Sequence, residues 1–323
     1  MANCTKEYAA ELVAKFSQRE YERIQNIPFP PIQEKPIDME KCAKEIVGLV
    51  AQTKSIKTLS PTIKKFHVSM IKANREGKLS PLDGWNLMKM SKSVFDKFYE
   101  NRLRCSDWFK EKKGANMHYL HEGYVPDFIY GIGLTTSGKY PIVTYFKPHL
   151  AKYLCETYLS SYNTVFDPFS GYSGRMIGAL CAGKNYIGRD LCEESVNESK
   201  DIWKFMEPLI QNKMKTPVFC DLDVADACTS TGAYECLLTC SPYRNIEQWQ
   251  GVTPLGYSCD KWIDICLMNY DCQKYVFVTD DLISKYKDYV VEKLENTSHW
   301  GSNYECVIVI TKEQRDELIK SVE

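Results

Sequence analysis

The sequence lacks the features that mark membrane, secreted and zinc-binding proteins. No apolar run reaches the roughly 18 residues that a membrane-spanning helix needs, and residues 1–22 are interleaved with charge, unlike a signal peptide. None of the 14 cysteines forms a C-x-x-C pair, and their spacings fit no zinc pattern. His118 and His121 have no evident third ligand. These absences predict a soluble cytoplasmic protein with reduced, mostly packed cysteines and no bound metal.

A complete phosphate-binding loop is also missing. Residues 133–140, GLTTSGKY, approach the GxxxxGK pattern, but Tyr140 stands where a Ser or Thr hydroxyl would hold magnesium. The strand-like sequence PIVTY follows, where this kind of loop requires a helix. We therefore interpret the stretch as a surface turn.

Charge is nearly balanced overall but unevenly distributed. The net charge is −1, yet residues 51–113 hold 15 Lys or Arg against 6 Asp or Glu, a surplus of +9. Such asymmetry is typical of a polyanion-binding region beside an acidic domain. Solvated helix faces over an aromatic core are the alternative. The predicted nucleic-acid contacts are Lys64, Lys65, Lys72, Arg75, Arg102 and Arg104.

The chain is organised around the segment TVFDPFSGYSGRMIGALCAGKNYIGRDL, which begins at residue 164. Its first apolar residues predict a short strand that ends at Asp167. Gly171 and Gly174 permit a tight turn and a close approach to a ligand. An apolar helix and a second strand follow, and Asp190 ends that strand where a nucleotide ribose would need a hydroxyl acceptor. The segment therefore predicts a nucleotide-type cofactor site.

The same segment resembles the cofactor motif of S-adenosylmethionine-dependent amino-methyltransferases that modify adenine N6 or cytosine N4 in DNA. The phage and mobile-element members, of the restriction-modification kind, are the most similar. The resemblance implies an α/β fold, a Rossmann-like sheet flanked by helices, with Asp190 on the ribose and Asp221 near the adenine. The implied cofactor-binding residues are Phe146, Pro148, Asp167, Pro168, Phe169, Gly171, Asp190 and Asp221. A Rossmann-like crossover that binds another nucleotide is the alternative.

A second stretch, YECLLTCSPYRNIEQW, begins at residue 234 and combines an apolar strand with a polar loop. The loop, Cys240, Ser241, Pro242 and Tyr243, follows the strand at the end where open α/β sheets place their chemistry. It resembles the catalytic loop of the same family, in which a small polar residue precedes Pro-Pro and an aromatic. Here Ser241 replaces the first proline, and Cys240 replaces the commoner Asp, Asn or Ser.

The resemblance implies methyl transfer to an exocyclic amine of a base flipped out of double-stranded DNA. Ser241, or the carbonyls of Cys240 and Ser241, would accept the amine hydrogens while Tyr243 stacks on the base. In-line placement of the amine nitrogen and the methyl group would then supply most of the rate acceleration. No general base of shifted pKa would be required. Three alternatives stay open: an RNA base methyltransferase, a catalytically inactive methyltransferase-derived binding module, and carbon methylation with Cys240 as nucleophile.

Two regions are predicted along the chain. Residues 1–135 form a mostly α-helical, basic N-terminal region that reads the target, and residues 136–323 form the methyltransferase domain. Within the second region the pattern predicts a third strand over 216–221, a helix over 282–295, and a last strand over 304–311 as a possible antiparallel edge.

Overall fold

The structure is a computed structural model, in which the chain forms two compact units. One unit comprises Met1–Pro36 and Met70–Val143, and the other comprises Ile37–Ser69 and Thr144–Glu323. Residues 37–69 therefore group with the second unit, whereas the sequence predicted them to be part of a region over 1–135. The structure describes residues 14, 17–22, 24–26, 38–51, 67, 69, 80–105, 146–240, 242, 257–280, 283–295 and 304–320, without the side chains of residues 81, 98, 99, 101–105, 280, 295 and 304.

The described residues form helices in both units and strands in the second unit. The helices are α1 Met39–Ala51, α2 Pro81–Met90, α3 Lys92–Cys105, α4 Pro148–Tyr158, α5 Gly174–Cys181, α6 Glu193–Gln211, α7 Cys259–Asn269 and α8 Lys312–Lys320. The strands are β1 Thr164–Asp167, β2 Asn185–Asp190, β3 Cys220–Val224, β4 Gly232–Cys240, β5 Tyr270–Asp280, β6 Val290–Glu295 and β7 Tyr304–Thr311. None of the helices in these ranges is long and apolar enough to cross a membrane.

The first unit is helical wherever it is described. Helix α2 begins as its sequence predicts, because Ser80 accepts the Asp83 N–H at 3.1 Å and proline occupies the first turn. Trp85 and Phe95 are fully buried, and Phe95 meets Tyr21 edge to face at 5.5 Å. An aromatic core therefore holds these helices together.

The second unit is built on one seven-stranded sheet with the order β3-β2-β1-β4-β5-β7-β6. Strands β1 to β5 pair in parallel, and β7 runs antiparallel to both β5 and β6. Helices α4 and α5 pack together beside it. The predicted α/β fold with a Rossmann-like sheet flanked by helices is thus confirmed.

Three predicted elements need correction. The helix predicted over 282–295 is wrong: Lys287–Tyr289 form a single 3₁₀ turn and β6 follows. Buried and exposed side chains alternate along this segment, as they do in a strand: Leu294 is buried while Val291 is 52% exposed. Strand β3 starts at Cys220, four residues later than predicted. Strand β7 is antiparallel as expected but lies inside the sheet, and β6 is the edge.

The described cysteines are all free thiols, and eight of them are buried. Burial raises the pKa of Cys155 and of Cys181 to about 12. At neutral pH such thiols stay protonated and unreactive. The prediction of mostly packed cysteines is confirmed for this part of the chain.

Candidate functional site

The strand order creates a switch point between β1 and β4. From β1 the chain proceeds through α5 to β2 on one side, while β4 pairs with β1 on the other side. In open α/β sheets ligands bind in the crevice that opens at such a point, outside the carboxyl ends of the strands. Asp167 ends β1 and Cys240 ends β4, so both predicted motifs flank this crevice.

Asp167 is the buried organiser of the switch point. Its carboxylate is fully buried and joins four separate parts of the fold. It accepts hydrogen bonds from Arg175 Nε (2.7 Å), Tyr186 Oη (2.7 Å), Thr239 Oγ1 (2.6 Å) and the Phe169 N–H (3.2 Å). A carboxylate offers about four lone-pair sites. Asp167 therefore holds the site together and has no free acceptor for a ligand, unlike the cofactor contact that the resemblance implies.

Arg175 balances the Asp167 charge inside the protein. Burial favours the neutral guanidine, but the Asp167 carboxylate outweighs that effect and raises the pKa of Arg175. Its guanidinium also donates to the Phe169 carbonyl and lies 5.1 Å from the centroid of the Phe146 ring. Phe146 is half-buried beside Arg175, and Pro148 is buried at the start of α4.

Residues 170–173, here called the glycine turn, connect β1 to α5 in an unusual backbone conformation. Gly171 has φ of +55° and Ser173 has φ of +64°. The left-handed conformation is strained for a serine, because its Cβ approaches a carbonyl oxygen. The Ser195 hydroxyl of α6 donates to the Gly171 carbonyl at 2.6 Å. The turn is therefore held from behind by α6.

Asp190 closes the crevice at the end of β2. Its carboxylate accepts the Gly171 N–H at 2.8 Å and the Cys192 N–H at 2.9 Å. Burial raises the pKa of Asp190 despite those two hydrogen bonds. The side chain is only half-buried, and Leu191 and Val224 beside it are 46% and 44% exposed. An acid flanked by exposed apolar side chains suits a nucleoside, whose ribose needs an acceptor and whose base needs an apolar face.

Asp221 lies elsewhere than predicted. It is the second residue of β3 and pairs with Ile187 in the middle of β2, because β3 starts later than its sequence suggested. Its carboxylate binds Arg189 at 2.7 Å and is 54% exposed. Val224, not Asp221, lies opposite Asp190 at the carboxyl end.

The predicted catalytic loop begins beside the glycine turn. Cys240 is the half-buried last residue of β4, and Pro242 is also half-buried. Ser241 and Tyr243 lie outside the described residues. Thr239 is buried, and its bond to Asp167 fixes the start of the loop to the end of β1.

An aromatic pair lines the crevice on the side of α7. Phe169 meets Trp262 edge to face with ring centroids 5.1 Å apart. Pro168 precedes Phe169 and is fully covered by the fold. Trp262 in turn meets Tyr257 at 5.2 Å. These three rings form an apolar cluster next to the residues that precede the glycine turn.

The predicted nucleic-acid contacts are not described in detail. Lys64, Lys65, Lys72 and Arg75 lie outside the described residues, and Arg102 and Arg104 lie on α3 without described side chains. Among the residues that the structure does describe, no group of three His, Cys, Asp or Glu could hold a metal ion.

Sequence reasoning missed Arg175, Tyr186, Thr239 and the serines of α6. Ser195 and Ser199 are four residues apart on one helix, which places them on one face, so their spacing was a usable signal. The partners of Asp167 carried no such signal, because they come from three different elements.

Known proteins resemble this chain only weakly. No model of a protein family and no curated protein sequence matches it. Solved structures that match include the SAM-bound magnesium protoporphyrin IX methyltransferase from Synechocystis PCC 6803 (10% identity, 51% of this chain and 79% of that chain, TM-score 0.36). They also include a putative methyltransferase from Escherichia coli (7%, 52% and 88%, 0.36) and a putative RNA methyltransferase from Pyrococcus horikoshii (13%, 51% and 81%, 0.33). Likenesses of this extent do not establish the chemistry of the site.

Proposed function

We propose that the chain is an S-adenosylmethionine-dependent methyltransferase that modifies an exocyclic amine, adenine N6 or cytosine N4, of a base flipped out of double-stranded DNA. One observation carries the proposal. The Thr239–Asp167 hydrogen bond ties the start of the loop after β4 to the end of β1, just before the glycine turn, across the switch point. The glycine turn and the start of this loop are thereby held at one edge of the sheet, and methyl transfer between two bound molecules requires such proximity.

The crevice fits the nucleoside end of the cofactor. Asp190 would accept from the ribose hydroxyls, and Leu191 and Val224 offer apolar surface for the adenine ring. Phe169 and the glycine turn would lie beside the methionine end, with Asp167 keeping both in place. When bound, S-adenosylmethionine supplies a methyl group on a positively charged sulfur.

The loop after β4 would handle the base. The carbonyls of Cys240 and Ser241, or the Ser241 hydroxyl, would accept the amine hydrogens and leave the nitrogen lone pair free to attack the methyl carbon. The methyl–sulfur bond would break to leave a neutral thioether, and the methylated nitrogen would lose one proton to water. Tyr243 would stack on the flipped base, and Pro242 would limit the backbone freedom of the loop. Since no base of shifted pKa is needed, orientation is the main contribution of the protein.

Methyl transfer to nucleic acid tests the proposal directly. The purified chain should transfer tritium from labelled S-adenosylmethionine to double-stranded DNA. Tyr243→Ala should lower that transfer by about 5- to 150-fold, because base stacking on an aromatic is worth roughly 1–3 kcal/mol, while cofactor affinity in calorimetry stays unchanged. Transfer to RNA alone would make the chain an RNA enzyme. Cofactor binding without transfer to either polymer, with activity gained in Ser241→Pro, would identify an inactive binding module.

Asp190→Ala should weaken cofactor binding by about tenfold or more, as expected for a lost hydrogen bond to a charged group. Because the Asp190 pKa is raised by burial, its carboxylate is protonated at a higher pH than a free carboxyl. Wild-type affinity should therefore fall as pH is lowered through that raised pKa, and the variant should not show this fall.

Asp221→Ala is the matched control, measured by the same calorimetry. It removes an acid of the neighbouring strand whose carboxylate pairs with Arg189, so affinity should not change. A tenfold loss in Asp221→Ala with none in Asp190→Ala would reverse the assignment of the two acids.

A further inference from the structure

Behind the glycine turn lies a network of hydrogen-bonded side chains, all buried except the half-buried Glu198, that the proposed reaction does not use. His67 Nδ1 lies 3.0 Å from Glu198 Oε2, and His67 Nε2 lies 2.9 Å from Ser173 Oγ. Ser173 Oγ is also 2.6 Å from Ser199 Oγ. His67 comes from a segment about a hundred residues before the turn, whereas Glu198 and Ser199 belong to α6. Three separate parts of the sequence therefore meet at one serine.

The acidic end of this hydrogen-bond network is Glu198. The Glu198 carboxylate can only accept, so His67 Nδ1 carries the proton that it shares with Glu198. His67 Nε2 in turn pairs with the Ser173 hydroxyl, which also shares a hydrogen bond with the Ser199 hydroxyl. Glu198 also accepts the Ser69 N–H at 2.8 Å and the Ser69 hydroxyl. Segment 67–69 is thus fixed to α6 while His67 reaches the turn.

The same histidine also packs against the neighbouring residue of the turn. The rings of His67 and Tyr172 meet edge to face with centroids 5.2 Å apart. Both residues are nearly inaccessible, with 3% and 6% of their surface exposed. His67 therefore touches two successive residues of the glycine turn, by a hydrogen bond and by a ring contact.

Ser173 is the residue of the turn that most needs such support. Its φ of +64° is the only positive φ of a non-glycine residue among those described, and this conformation persists only where surrounding contacts over-determine it. Its hydroxyl is held from two directions, by His67 and by Ser199.

Carboxylate, imidazole and hydroxyl in this order also form the triad of serine hydrolases. Here Ser173 is only 1% exposed, so an acyl group cannot reach its oxygen. The arrangement is suited to holding the serine, not to attack by it.

We propose that His67, oriented by Glu198, is a positioning residue that fixes the glycine turn in its cofactor-binding conformation through Ser173. The inference rests on the proposed function, because it concerns affinity for S-adenosylmethionine. It adds that the cofactor site of the sheet is incomplete without a segment that lies upstream of the whole sheet in sequence. None of these hydrogen-bonded side chains is required to contact the substrate.

Calorimetry with S-adenosylmethionine on the full chain tests this role. His67→Ala and Glu198→Gln should each raise the cofactor Kd by about tenfold, the size of one lost hydrogen bond to a charged partner. At saturating cofactor, kcat should be unchanged while KM for the cofactor rises. Ser173→Gly should raise Kd similarly, because glycine adopts positive φ without strain but lacks the hydroxyl. Adding His67→Ala to Ser173→Gly should then change Kd little further, since both remove one shared contact.

Glu235→Gln is the matched control for Glu198→Gln. Glu235 accepts the N–H groups of Asn163 and Thr164 at 2.9 and 2.8 Å, at the amino end of β1, opposite the crevice. It should lower the urea midpoint without changing Kd. If His67→Ala and Glu198→Gln also lower only the midpoint, the positioning role is refuted and the cluster is structural. If the folded wild type binds no S-adenosylmethionine, the proposed function itself fails, and this outcome is distinct from the first.

Discussion

Asp167→Asn is expected to lower the free energy of unfolding by about 3–5 kcal/mol, the usual cost of removing one partner from a buried ion pair. Arg175 is only 7% exposed at its side chain, so its charge would remain in the interior without compensation. The amide group also presents a donor where the carboxylate only accepts, and it must face donors from Arg175, Tyr186 or Thr239. Urea unfolding followed by far-ultraviolet circular dichroism measures the loss.

Asp221→Asn is the matched control for this change. It breaks the Arg189–Asp221 ion pair, in which the Asp221 side chain is 54% exposed. Exposed pairs contribute about 0–1 kcal/mol, so the urea midpoint should hardly move. A loss below about 1 kcal/mol in Asp167→Asn as well would contradict the assignment of Asp167 as the buried organiser of the switch point.

The two variants should also differ in ligand binding. Asp167 has no free acceptor, so its replacement can act on the cofactor only through the glycine turn and the loop after β4. Where Asp167→Asn remains folded at low temperature, we expect cofactor affinity to fall because the Phe169 N–H and Thr239 lose their common anchor. Asp221→Asn should bind as the wild type does.

The sequence predicts the centre of this sheet well because local signals there agree with the tertiary structure. A short apolar strand, a glycine turn and an acid at the next strand end are all encoded within thirty residues. Strand β1 and the position of Asp190 follow from that pattern. The class of fold follows as well, since alternating strands and helices favour a parallel sheet.

The outer strands were predicted less well because their local signals are ambiguous. The stretch YVVEKLE satisfies a helical spacing and an alternating one equally, and only its pairing with β7 selects the strand. The start of β3 is set by its register against β2, which a single sequence does not reveal. That shift of four residues is what moved Asp221 away from the crevice.

The contacts of the site were the hardest to foresee, because they join residues distant in sequence. Asp167 was predicted to contact the cofactor, but the structure surrounds it with donors from α5, β2 and β4. His67 lies in a basic stretch whose charge suggested nucleic acid, whereas its ring is buried against the glycine turn. A residue type in a sequence shows what chemistry is available, and its neighbours in space decide whether that chemistry faces the ligand or the protein.

Gly174→Ala should have the second large effect, a loss of about 3 kcal/mol in the free energy of unfolding, at the upper end of the usual cost of overpacking. A Cβ on Gly174 would lie 2.0 Å from the Phe146 carbonyl oxygen and 2.8 Å from its carbon. Both are backbone atoms, so no side-chain rotation relieves the clash. Either α5 or the chain entering α4 must move, and the glycine turn moves with it. Cofactor affinity should therefore fall together with stability.

Gly48→Ala gives the opposite expectation for the same chemical change. Gly48 lies on the exposed side of α1, and an added Cβ meets nothing within 4 Å. Alanine should stabilise that helix by about 0.5–1 kcal/mol and leave cofactor affinity unchanged. Urea unfolding measures the change in the free energy of unfolding for both variants, and calorimetry measures the change in their cofactor affinity. A neutral or stabilising Gly174→Ala would mean that the close approach of α5 to residue 146 does not hold the glycine turn in place.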